Sequence, residues 1–124
     1  LILRSARRAM PESVSTTFLP SPDLELEDWG PLEEATGAEM KTSGVSNSED
    51  GHGSDSGVWE CTPGPSHWTL ETNEFIYVVS GRMTVTPDGG EPLELGPGNS
   101  AVFPVGWTGT WDIHETLRKL YVIY

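Results

Sequence analysis

The chain has 124 residues, room for one domain around one core and little beyond it. Its formal net charge is −12: all 19 acidic residues follow position 10, together with only four of the seven basic ones (Lys41, Arg82, Arg118, Lys119). Such a body repels phosphate backbones and anionic lipid, which argues against nucleic-acid and membrane partners and for a small neutral or cationic ligand.

Cys61 is the only cysteine, which excludes an intrachain disulfide and a multi-cysteine zinc site and points to a cytoplasmic protein. No apolar run approaches the ~18 residues of a membrane span. The opening LILRSARRAM is Arg-rich and lacks the apolar stretch and small-residue cleavage site of a signal peptide. It reads as a truncated start or an upstream extension. Residues 11–37 hold four prolines and scattered apolar residues, which predicts an extended arm with a short strand near 16–19 and one helical turn at 32–36 (LEEAT). Residues 1–37 are thus expected to form an N-terminal arm and 38–124 the folded domain.

AEMKTSGVS (38–46) reads as a strand, and NSEDGHGSDSG (47–57) as a loop that leaves His52 solvated. From position 58 the pattern changes. VWECT, NEFIYVVSG, RMTVT, PLELG, SAVFP, TWDI and LRKLYVIY are short β-rich runs separated by Gly, Pro and Asn turns. That spacing predicts an all-β sandwich or barrel. Gly81 is expected between two strands, where a tight turn tolerates positive φ. Pro104 and Gly106 should end one strand and turn the chain toward the next. His114 is expected at a turn or on an exposed face.

The stretch 64–109 carries a more specific pattern. His67-Trp68-Thr69 is followed after four residues by Glu74 and after six more by Gly81; then come Gly98, five residues, Pro104-Val105-Gly106, two residues and Gly109. This skeleton resembles the two motifs of the cupin superfamily. The runs GVWECTPG, ETNEFIYVVSG, FPVGWTGTWDI and RKLYVIY resemble the subgroup that includes ureidoglycine aminohydrolase-type and ethanolamine-utilisation-type cupins, many of unknown function. The resemblance implies a cupin double-stranded β-helix, a jelly-roll barrel, with one interior pocket and a tendency to form homodimers. Pairing by a sheet face, or by exchange of residues 11–30 as an edge strand, is the structural alternative to a binding function.

In metal-bearing cupins, two His and the Glu of the first motif and the His of the second hold one divalent ion. His67 and Glu74 stand at two of those positions here, whereas Thr69 and Gly109 replace the other two histidines. The expectation is therefore a pocket without a cofactor, and the alternative is an Mn, Zn, Ni or Fe ion held by His67 and Glu74. Glu74 enters an otherwise apolar strand, so it must be paired, metal-bound or raised in pKa. Trp111, one of five tryptophans, is placed by its strand position on the pocket wall. His67, Thr69, Glu74 and Trp111 are the pocket candidates, suited to a small planar or amine-bearing ligand. Cys61 reads as a buried apolar side chain. Two functions stay open: a small-molecule-binding cupin with an incomplete metal site, or a metal-dependent enzyme of nitrogen or amine metabolism resembling ureidoglycine aminohydrolase.

Overall fold

A computed structural model describes residues 21–49 and 53–124. The expected strand near 16–19 and the solvated His52 lie outside the described residues. The rest is antiparallel β structure, with no helix among the described residues. The strands are β1 (Glu27–Pro31), β2 (Lys41–Glu49), β3 (Asp55–Cys61), β4 (Gly64–Thr69), β5 (Glu74–Pro87), β6 (Leu93–Leu95), β7 (Ser100–Phe103) and β8 (Thr108–Ile123). Among the described residues no helix is long and apolar enough to cross a membrane.

Two long strands organise the barrel. β5 and β8 pair along their whole length, from Glu74↔Ile123 to Pro87↔Gly109. The first half of β5 also pairs with β7, and its second half with β6. Likewise the first half of β8 pairs with β4 and its second half with β3, which continues to β2 and β1. Each long strand therefore belongs to two sheets, and bending both strands closes the sheets face to face as a jelly-roll barrel. The expected all-β barrel is what forms.

The bend explains where the chain departs from the strand boundaries read off the sequence. NEFIYVVSG and RMTVT are one strand, and Gly81 is a bulge inside it. Gly81 has φ 89°, and a Cβ there would lie 2.1 Å from the Thr116 carbonyl oxygen. Pairing with β8 shifts register three times between Val78 and Met83, and the inward positions change from 74, 76 and 78 to 83 and 85. An extra residue in one strand has this consequence. TWDI and LRKLYVIY likewise merge into β8, so His114 lies within a strand, on its exposed face. Residues 47–49 and 55–57 extend the β2–β3 hairpin instead of forming loop, because backbone pairing continues (Ser48↔Ser56, Glu49↔Asp55) where side-chain hydrophobicity runs out. Residues 32–36 form a turn with an isolated bridge from Ala35 to Ser66, and no helix. Pro104–Trp107 is the expected turn, closed by Trp107 N–H donating to the Pro104 carbonyl at 2.9 Å.

Inward positions of these strands make one core of Met40, Cys61, Ile76, Val78, Met83, Val85, Phe103, Ile113, Leu117 and their neighbours. Each fully buried aliphatic side chain there contributes roughly 1.5–3 kcal/mol relative to exposure. One end of the same interior is filled by aromatic rings instead of aliphatic chains, and a cavity remains between them.

Candidate functional site

The cavity measures about 230 Å³. Trp59, Trp68 and Trp111 supply its aromatic walls, Trp29 and Ile123 complete the apolar lining, and Glu74, Lys119, Asp55 and Tyr121 supply its polar groups. Trp29 is brought there by β1–β2 pairing, which sets its indole over Gly44. A Cβ on Gly44 would come within 2.4 Å of that ring, so this close approach requires glycine.

Lys119 is the centre of the arrangement. It lies on β8 between Arg118 and Leu120, in register with Trp59 of β3 and Val78 of β5, and it is 3% exposed. Its Nζ donates to Glu74 Oε2 at 2.8 Å. The same ammonium sits 4.4 Å from the ring centroids of both Trp59 and Trp111. A buried cation needs such compensation: one carboxylate neutralises it, and two ring faces replace part of its lost hydration. The lining also includes Asp55, which accepts from Tyr121 Oη at 3.0 Å and from Ser46 Oγ at 3.1 Å.

Hydrogen bonds and ring contacts hold the walls. Trp68 Nε1 donates to Ser66 Oγ at 2.8 Å, and Ser66 Oγ donates to the Trp111 carbonyl at 3.2 Å. The Trp68 and Trp111 rings lie 4.6 Å apart, and Phe103 backs Trp111 at 5.1 Å. Cys61 lies in the core beside this cluster; burial raises its thiol to about 11, and the charge of Lys119 lowers it only in part.

Of the four residues singled out from the sequence, the structure brings Glu74 and Trp111 together in the cavity and sets His67 and Thr69 on the outer surface. Register is the reason. β4 pairs with β8 as Ser66↔Trp111 and Trp68↔Gly109, and directly opposed residues of an antiparallel pair share a face. Because Trp111 points inward, Ser66 and Trp68 do too, and His67 and Thr69 must point out. There His67 Nε2–H donates to both oxygens of Asp88 at 3.0 and 3.1 Å, and Thr108 Oγ1 donates to the same carboxylate at 2.9 Å. Thr69 Oγ1 lies 3.3 Å from Thr108 Oγ1. The bonds from His67 and then Thr108 hold the Asp88 carboxyl below the usual carboxylate range. Glu74, expected to be paired or metal-bound, is paired to Lys119. Among the described residues no three His, Cys, Asp or Glu side chains gather as a metal-binding group.

Lys119 itself went unrecognised in the sequence. A signal was present: Leu117, Lys119, Tyr121 and Ile123 alternate on the face that Trp111 and Ile113 begin, so a lysine stands in an apolar row.

Residues 48–121 match the family described as the EutQ-like cupin domain. The chain belongs to that family. Solved structures agree with the cupin fold. A DUF861-family protein of unknown function from Pseudomonas syringae superposes with a TM-score of 0.74 at 19% identity, over 82% of this chain and 45% of that one. This cupin thus spans about half the length of that relative. The Clostridium difficile EutQ protein gives a TM-score of 0.68 at 18% identity, covering 82% of this chain and 80% of its own. A DUF861-family protein from Thermotoga maritima reaches 30% identity over 54% of this chain and 76% of its own, with a TM-score of 0.52. No functionally curated protein matches the sequence.

Proposed function

We propose that this cupin binds a small molecule in its aromatic cavity and does so with an internal Lys119–Glu74 pair in place of a metal ion. The observation that carries the proposal is the position of Lys119 Nζ, 2.8 Å from Glu74 and over two tryptophan rings inside the cavity. The donor set does not fit a divalent ion. Inward positions of β4 carry Ser66 and Trp68, the facing positions of β8 carry Gly109 and Trp111, and the one nearby carboxylate of the cupin motif already neutralises a cation. A second cation beside Lys119 would meet direct repulsion. A recess with apolar walls and a few convergent polar groups is the usual form of a small-ligand site.

The test is metal analysis of protein purified without chelator, joined to thermal unfolding with added Mn²⁺, Zn²⁺, Ni²⁺ or Fe²⁺. Metal well below one ion per chain and an unchanged Tm are expected. One ion per chain, with a Tm that rises on reloading after chelation, would sink the proposal and favour a metal-dependent enzyme.

We also propose that two copies pair through the outer face of the β3–β8–β5–β7 sheet and that the protein works in the cytoplasm. Support for pairing comes from Tyr77, Val102 and Val122, each 40–58% exposed on neighbouring strands of that face. Sedimentation as a stable monomer would rule it out.

A further inference from the structure

The outer face of the β3–β8–β5–β7 sheet is closed in one part and open in another. Trp59 and Lys119 line the cavity, so Val58 and Glu60 on β3, and Arg118 and Leu120 on β8, point outward. The outer face of an antiparallel sheet is commonly wet, yet Val58 is 0% exposed and Arg118 only 5%. Residues 21–26 lie on this side. The Ser21 carbonyl accepts from Arg118 Nη1, and from there the chain runs to β1 at the far edge of the sheet, with Leu24 and Leu26 half-buried. Glu60 Oε1 accepts from Arg118 Nε at 2.8 Å. One step further along the outer face of β8 the protection ends. Leu120 and Val122, with Phe75 of β5 and Ser56 of β3, border a groove of about 240 Å³, and Val122 is 41% exposed.

Continuity of the chain points to what fills the groove. The described chain begins at Ser21, held at Arg118. Leu120 follows Arg118 on the same face of β8 at about 7 Å, and Val122 lies about 7 Å beyond. Phe18 stands three residues before Ser21, so an extended chain carries it up to ~10 Å from that anchor, as far as the groove. The local sequence suits the path. Pro20 biases Leu19 toward extended backbone, and Val14, Thr16 and Thr17 are β-branched. Residues 13–20 (SVSTTFLP) carry no charge in a chain of net charge −12, so the acidic body does not repel them. We propose that residues 13–20 continue from Ser21 across the outer face of β8 and seat Phe18 between Phe75, Leu120 and Val122. Tyr77 and Val102, on β5 and β7 beyond the groove, stay open to the pairing of two copies proposed above.

Isotope-edited NMR on the full chain tests this, joined to thermal unfolding of three variants. The Phe18 ring protons are expected to show NOEs to the methyl groups of Leu120 and Val122. Phe18→Ala should lower Tm by about 5 °C, the effect of exposing much of one apolar side chain in a domain of this size. Leu120→Ala should lower it by a similar amount. The double variant F18A/L120A should lose little more than either single one, because both changes remove the same contact. Absence of the NOEs, or Tm losses that simply add, would overturn the docking of Phe18. In a sample mixing labelled and unlabelled protein, the same NOEs found only between chains would overturn the assignment to the chain's own segment and give the groove to a second copy.

Discussion

Two acid–base pairs of similar length lie on opposite faces of the same sheets. His67 and Asp88 meet at 3.0 Å with side chains 44% and 50% exposed, whereas Lys119 and Glu74 meet at 2.8 Å with side chains 4% and 10% exposed. Distance does not separate them; solvent does. Water screens the outer pair and solvates each partner when the other is removed. The inner pair has no such recourse, so each partner is the condition for burying the other. The residue types of a site are therefore uninformative until the face they occupy is known.

The largest expected effect comes from breaking the inner pair on one side. Lys119→Met leaves the Glu74 carboxylate buried and unpaired, and should cost about 3–5 kcal/mol in urea unfolding, most of it restored by adding Glu74→Gln. If the single variant were as stable as the double one, the contrast between inner and outer pairs would collapse. Adjacent residues of β4 offer the next comparison. Ser66→Ala removes a buried hydroxyl that accepts from the half-buried Trp68 Nε1 and donates to the Trp111 carbonyl, and should cost about 1 kcal/mol, while His67→Ala, one position along, should leave Tm essentially unchanged. Equal losses at the two positions would contradict the register that turns His67 outward.

Cys61 gives a smaller, kinetic contrast. With its thiol raised to about 11, it should resist a disulfide reagent at pH 8 in the native state and react at once in denaturant. The weakest effect belongs to Asp88. Its folded pKa is depressed, so its stabilisation is present above the ordinary Asp value of ~3.9 and fades as pH falls through the folded value. Acid unfolding curves of the protein and of Asp88→Asn should therefore differ slightly at neutral pH and converge in acid. Divergence toward low pH would have the wrong sign.

Much of the fold is legible in the sequence. Alternating apolar residues and the turns at Gly98, Pro104 and Gly106 identify a β barrel, because turn chemistry and strand period are local properties, whereas the bulge that Gly81 makes within β5 depends on its pairing with β8. Glu74 and Trp111 were legible as site residues for a similar reason: a carboxylate in an apolar strand and a large aromatic at an alternating position are anomalies within a few residues of sequence. His67 and Thr69 were placed in the pocket by motif position, and one residue of register separates them from it. Alternation states that Ser66 and His67 face opposite ways but not which of them faces in; pairing with Trp111 across 45 residues of chain decides that.

The same limit applied to the centre of the site. The sequence by itself determined that the protein is an acidic, turn-rich cupin barrel lacking two histidines of the usual ligand set. Only the tertiary structure decided that its cavity is organised around Lys119. The groups that make burial of that ammonium tolerable, Trp59, Glu74 and Trp111, come from three different strands, and no local pattern records that they meet.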